Sequence, residues 1–360
     1  MKLLIATLLV GVLSALQLVA QDKPAAATGK RSDYVSDASF FVGTYSPPKC
    51  NHSPKSMAAA GKAFVESLNE KLRARGAMSL DNQERREWTN LPPAPNAGGV
   101  RLGDLNEAQL NAACNLMAEV FSESGYTKMC EIMLGDDQLL ASGRPSQGIG
   151  TVDFSIMVFG EPSETEPWAM QLDGHHIGVN IALQGGDYSF SPSFIGCQPE
   201  EFKIADKKFR PFAGEVDDAT SLISSLSDDQ RKLAVLSPKR GLIRTGPGAD
   251  GTVPDSLGVP CSGFNKSQRE KLTKLIANWV SAMPPAHAEK RMKDISAELD
   301  QMHFSWNGQT APRSDISYMI QGPTLIIEFS CQGNGDKPFD HTHSMYRDPT
   351  NEYGQQVKTK

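Results

Sequence analysis

Hydrophobic spacing divides the chain into helical and extended blocks. Between Ser56 and Arg75, apolar residues recur at Met57, Ala60, Phe64, Leu68 and Leu72, the spacing of one helix face. A second helix is predicted from about Asn106 to Ser122, with Leu110, Ala113, Cys114, Met117, Val120 and Phe121 on one side. A short helical piece follows from Thr127 to about Leu140. The pattern then becomes extended: Thr151 to Gly160 and Trp168 to Leu183 are rich in strand formers. Ala213 to Leu236 is helical again, with a capping box at Ser227-x-x-Gln230. Ser267-x-x-Glu270 opens the most regular helix, striped by Leu272, Leu275, Ile276, Trp279, Val280 and Met283. A further helix carries Met292, Ile295, Leu299 and Met302, and the chain finishes in strands at His303–Trp306, Ser317–Gln321, Thr324–Ser330 and the stretch from Phe339. No internal repeat is present. Helices, then strands, then helices, then strands predict an α+β fold, its helices flanking a mixed or antiparallel sheet assembled from distant segments.

Charge and the termini narrow the class. A formal net charge of −6, well mixed along the chain, argues against a nucleic-acid binder. Met1-Lys2 followed by an apolar stretch to Val19 reads as a cleavable signal peptide over residues 1–20, so the expected location is secreted or periplasmic. Residues 21–55 read as a flexible lead-in and 56–360 as one domain, with no membrane association once the signal is removed. In an oxidising compartment the even set Cys50, Cys114, Cys130, Cys197, Cys261 and Cys331 predicts at least one disulfide, Cys114 with Cys130 being the favoured pair.

The candidate chemistry lies in histidine. The chain has seven in all, and two pairs stand out: His175-His176 before an apolar run, and His341-Thr-His343 near the end. Residues two apart on a strand share a face, so His341 and His343 project side by side. In the strand that runs through these residues to Leu183, His176 shares a face with Gly178, Asn180 and Ala182, while His175 joins the apolar side with Ile177, Val179, Ile181 and Leu183 as a packed or supporting residue. Imidazole nitrogens suit zinc or copper, and a catalytic zinc site uses three protein ligands plus water. His176, His341 and His343 are therefore the expected ligands, with His175 a weaker candidate. Glu328, a lone acid in the apolar run Ile326-Ile-Glu-Phe329, is the candidate base, and Arg347 and Asp348 complete the candidate catalytic set, Arg347 holding an anionic group. Gly246-x-Gly-x-x-Gly251 lacks the helix that a dinucleotide site requires, although Arg244, Asp250 and Asp255 on this loop are placed to line a cleft. The expectation is an exported metal-binding protein, an enzyme on a small-molecule substrate. The alternative is a non-catalytic exported binding module with a structural His/Glu network.

Pro167-Trp168, Gly174-His-His-Ile-Gly-Val-Asn180, Pro192-Ser-Phe-Ile-Gly196, Phe304-Ser-Trp-Asn-Gly308, Ile320-Gln-Gly-Pro323, Glu328, His341 to Pro349 and Tyr353-Gly354 occur in this order. In these residues the chain resembles an exported bacterial family catalogued as domain of unknown function 3500. The resemblance implies a single family domain and export, and it carries no catalytic residue with it. The chain departs from the family pattern at Cys197-Gln198 and in its end, Gln355 to Lys360.

Overall fold

The computed structural model describes residues 45–91, 98–143, 148–311, 313–334 and 337–355. The signal-peptide and C-terminal-tail expectations lie outside the described residues, as does most of the lead-in. Among the described residues there are eight α-helices and fifteen strands. The first part runs α1 (Pro54–Ser67), α2 (Glu70–Gly76), β1 (Ala77–Met78), β2 (Val100–Arg101), α3 (Glu107–Val120) and α4 (Glu123–Ala141). Then come β3 (Ser155–Phe159), β4 (Trp168–Gly174), β5 (Ile177–Gln184), β6 (Asp187–Ser189), β7 (Ser193–Cys197), β8 (Phe202–Ile204) and β9 (Lys207–Phe209). The last part is α5 (Ala213–Ser225), α6 (Asp228–Ala234), β10 (Val235–Ser237), β11 (Val259–Pro260), α7 (Lys266–Val280), α8 (Pro285–Ala297), β12 (His303–Gly308), β13 (Ile316–Gln321), β14 (Ile326–Asn334) and β15 (Lys337–Arg347).

Local chemistry explains where the boundaries differ from the periodicity. The helix expected from Ser56 to Arg75 is two helices, because the Asn69 side chain accepts the Leu72 N–H and caps a new start. Likewise α7 begins at a capping box of Asn265 with Gln268, not at Ser267: each side chain accepts the other's backbone N–H at 3.0 Å. The predicted Ser227–Gln230 box is present and opens α6. That helix stops at Ala234, and Val235–Ser237 runs parallel to β12.

The sheet is α+β in the sense the pattern predicted, and mixed. Its main path is β1-β3-β4-β5-β7-β15-β14-β13-β12-β10, antiparallel except at its two ends. The last strand is its keystone. β15 enters between β7 and β14 and so joins the strands of residues 155–197 to those of residues 303–334. One face carries Ile327, Phe329, Tyr346 and Tyr318 into the main core, where α7 sends Trp279 Nε1–H to the Ser344 hydroxyl at 2.6 Å. The other face is polar along β14 and β15: Glu328, Ser330 and Gln332 pair with Met345, His343 and His341. Residues 238–258 cross this face, and Gly241 donates to the Ser317 hydroxyl and accepts from that of Ser330. No helix among the described residues is long and apolar enough to cross a membrane.

The expected disulfide is not formed. All six cysteines are free thiols, and all but Cys50 are buried. Burial pushes the Cys114 thiol up to about 11 and the Cys130 thiol up to about 12, so both behave as small apolar core residues.

Candidate metal centre

The site forms where the β4–β5 hairpin meets β15. Gly174 pairs with Ile177, so His175 and His176 are the two residues of the turn rather than the start of a strand. This corrects the alternation argument for their faces. His176 takes φ of +69°, a left-handed conformation uncommon for a residue with a side chain. Its carbonyl accepts the Gly196 N–H at 2.7 Å, which docks the turn on β7. On β15, His341 and His343 share the polar face, and His343 lies opposite Gly196 across the β7 ladder.

Gly196 is what lets the rings meet. A Cβ there would stand 2.6 Å from the Thr342 carbonyl oxygen, 2.8 Å from His176 Cδ2 and 3.1 Å from His343 Cδ2. With that space open, His176 Nε2 reaches 2.7 Å from His341 Nε2, and the His341 and His343 ring centroids are 4.4 Å apart. His176, His341 and His343 each offer a ligand nitrogen, all within 4.8 Å of one another. A tetrahedral centre with bonds of about 2.0–2.1 Å places its nitrogens about 3.3 Å apart. The 2.7 Å contact is thus a ring-to-ring hydrogen bond that a metal ion would replace by opening it about half an ångström. The donor set therefore fits the group.

Surroundings disfavour the charged form of His176 and His343. Burial, reinforced by His175 and His341, holds His176 well below the ordinary imidazole value. Burial, then His176, His341, His175 and Arg240, brings His343 down to about 2. Its Nδ1 is 2.9 Å from Gln332 Nε2, so the amide donates and Nε2 carries the proton in the metal-free protein. Neutral imidazole is the form a metal requires. Phe194 closes one side, its ring centroid 5.2 Å from that of His343.

A carboxylate that the sequence reading missed sits beneath the turn. Asp136 of α4 is buried, and its Oδ1 lies 2.5 Å from His175 Nδ1 and 3.6 Å from His176 Nδ1. Its Oδ2 accepts the Gly150 N–H at 3.0 Å. Burial pushes this carboxyl up, against the opposing pull of His175. The signal was an acid on an apolar stripe: Asp136 follows Ile132 by four and Met133 by three, and precedes Leu139 by three.

The other candidates have partners of their own. Glu328 is on the same face, one alternate position from the residue opposite His343, but its carboxylate is taken. It accepts the backbone N–H groups of Arg244 and Thr245 and, at 2.6 Å, the Thr245 hydroxyl. Arg347 is buried in an ion pair with Glu352 and donates to the Thr252 carbonyl at 2.9 Å. Four residues beyond His343, it stands about 13 Å along the strand. Asp348 accepts from the Thr350 N–H and hydroxyl and pairs with Arg291 at 3.4 Å. Asp250 accepts the Tyr353 hydroxyl at 2.9 Å. These groups fasten the loop and the C-terminal turn to the sheet.

A family model described as protein of unknown function (DUF3500) matches residues 51–355. No curated protein and no solved structure matches the chain.

Proposed function

The chain belongs to that family, whose description assigns no activity, and we propose from the site itself that it is an exported metal-binding protein with a three-histidine centre. His176, His341 and His343 are the ligands, and zinc or copper is the ion that imidazole donors suit. The observation that carries this reading is the convergence of three imidazoles from segments 165 residues apart, made possible by a glycine at the point of contact. A purely structural cluster has no need to gather three rings that compete for protons. His341 and His343 are only partly buried, which leaves a coordination position facing solvent, as in catalytic rather than structural zinc sites. The chemistry such a centre would supply is activation of water near neutral pH, and a small-molecule substrate is the expected partner. Export rests on the apolar N-terminal stretch, and fractionation with N-terminal sequencing of the mature protein tests it.

One observation favours the alternative of a hydrogen-bonded network without metal: His176–His341 and Gln332–His343 already satisfy one nitrogen each. Elemental analysis of protein purified without a histidine tag, before and after reconstitution, separates the two. About one equivalent or more of a transition metal, with melting temperature lowered by chelator, supports the centre. Less than about a tenth of an equivalent after reconstitution, with no chelator effect, overturns it.

A further inference from the structure

The three-histidine reading uses one nitrogen of His176 and leaves the other unexplained. His176 Nδ1 is buried and has no hydrogen-bond partner. Leaving a buried ring nitrogen unpaired costs about 1–3 kcal/mol, so its surroundings call for an account. It faces Asp136 Oδ1 at 3.6 Å, too far for a hydrogen bond, and that same oxygen is 2.5 Å from His175 Nδ1. These three atoms lie within 4.8 Å of one another and come from α4 and the two turn residues. Asp136 Oδ2 is occupied by Gly150, so Oδ1 alone faces the rings. The left-handed turn at His176 sets its ring beside that of His175, tilted by 36° with centroids 3.7 Å apart, and both Nδ1 atoms face one carboxylate oxygen. One carboxylate and two imidazoles form a set that zinc, iron and copper all accept.

We propose that the centre is binuclear, with one divalent cation on His176 Nε2, His341 and His343 and a second on His176 Nδ1, His175 and Asp136. His176 is the bridge. To bind on both sides its ring gives up its remaining N–H proton to solvent and becomes an imidazolate, and its negative charge then lies between the two cations. Metal bonds of about 2.0 Å on either side of the ring set the ions roughly 6 Å apart. The Asp136 carboxylate adds a second negative charge next to the inner cation, which offsets the repulsion between the two ions. The inner position explains why the turn carries two consecutive histidines and why an acid is buried beneath them.

This inference rests on the three-histidine centre, and counting metals separates the two. Metal-free full-length protein is titrated with zinc alone by calorimetry, and bound zinc is counted by elemental analysis after dialysis. The wild type should hold two equivalents, Asp136→Asn and His343→Ala one each, and His176→Ala should lose tight binding at both positions. Two equivalents in the wild type remain decisive where a variant does not fold, as judged by circular dichroism. One equivalent in the wild type, retained by Asp136→Asn and lost in His343→Ala, overturns the inner site and leaves the three-histidine centre standing. No bound zinc in the wild type overturns both.

Discussion

Gly196→Ala perturbs the site without removing any ligand. Its φ lies outside the left-handed region, so the glycine answers a need for space and not for conformation. The added methyl would sit 2.6 Å from the Thr342 oxygen in the neighbouring strand, and the backbone there is held by the ladder on both sides. The easier response is for the two rings, 2.8 and 3.1 Å away, to move by several tenths of an ångström. Overpacking of this kind costs about 1–3 kcal/mol, from which about 0.5–1 kcal/mol is recovered because alanine loses less conformational entropy than glycine on folding. A net loss of about 0.5–2 kcal/mol should appear as a lower urea midpoint with unchanged slope. Misplacing two ligands should weaken zinc binding roughly 10- to 100-fold, about 1.4–2.7 kcal/mol, the range seen when groups that orient ligands are removed. Zinc affinity is read by competition with a chromophoric chelator. Ile276→Val, in the buried stripe of α7, serves as control: it should cost about 0.5–1.5 kcal/mol and leave zinc affinity alone. If Gly196→Ala loses stability but binds zinc within twofold of wild type, the rings are not held where the geometry puts them, and the proposed centre fails.

Three further outcomes follow from the same contacts. The changes His176→Ala and His343→Ala should be strongly non-additive in zinc affinity, with a coupling of about 0.5–3 kcal/mol, and simple additivity would separate the two clusters. Glu328→Gln should destabilise the protein by about 1.5–3 kcal/mol through its contacts to Arg244 and Thr245 while metal content stays unchanged, and a loss of metal would restore Glu328 to the site. The pH dependence has a definite sign: His176 and His343 are held below 6.5 in the folded state, so as pH falls the unfolded chain takes up their protons first. Stability of the metal-free protein should therefore be level in these groups above about pH 7.5 and fall below it, with His343 alone contributing a loss of about 2 kcal/mol by pH 5 that should vanish in His343→Gln. Urea midpoints that do not move over this range would contradict the burial argument.

Periodicity made the helices and the polar–apolar alternation of β14 and β15 legible, because both follow from a single repeating geometry. The pairing of His341 with His343 was legible for the same reason. His176 was selected by an alternation that does not apply, since it lies in a turn whose backbone sends its ring across β7. The position of Asp136 beneath that turn was not legible as a partner, only as an oddity on an apolar stripe. Contacts between α4 and the hairpin are set by tertiary packing, to which local spacing is blind. Arg347 shows how spacing along one strand separates charges that are close in sequence: at about 3.3 Å per residue, four positions set it about 13 Å from His343, whereas Glu328 shares the histidine face from the neighbouring strand and is held there by Arg244 and Thr245.

The place of β15 gives the candidate centre a consequence for the fold. The sheet has two halves, and among the described residues the last strand is the segment that pairs with both β7 and β14. His176 belongs to the first half and His341 and His343 to the joining strand, so ions bound at this point would tie together segments 165 residues apart. A permanent cross-link closing so long a loop would remove about 5 kcal/mol of freedom from the unfolded chain in the chain-entropy model, against about 3 kcal/mol for a 15-residue loop, but a cation that binds only the folded state acts differently. The measurable part is set by mass action: a cation at about 100 times its Kd stabilises the folded state by about 2.7 kcal/mol. With all six cysteines free, no covalent bond performs this closure. The proposed centre would hold β15 in place from its partly exposed side, while Trp279 and the core hold it from the other.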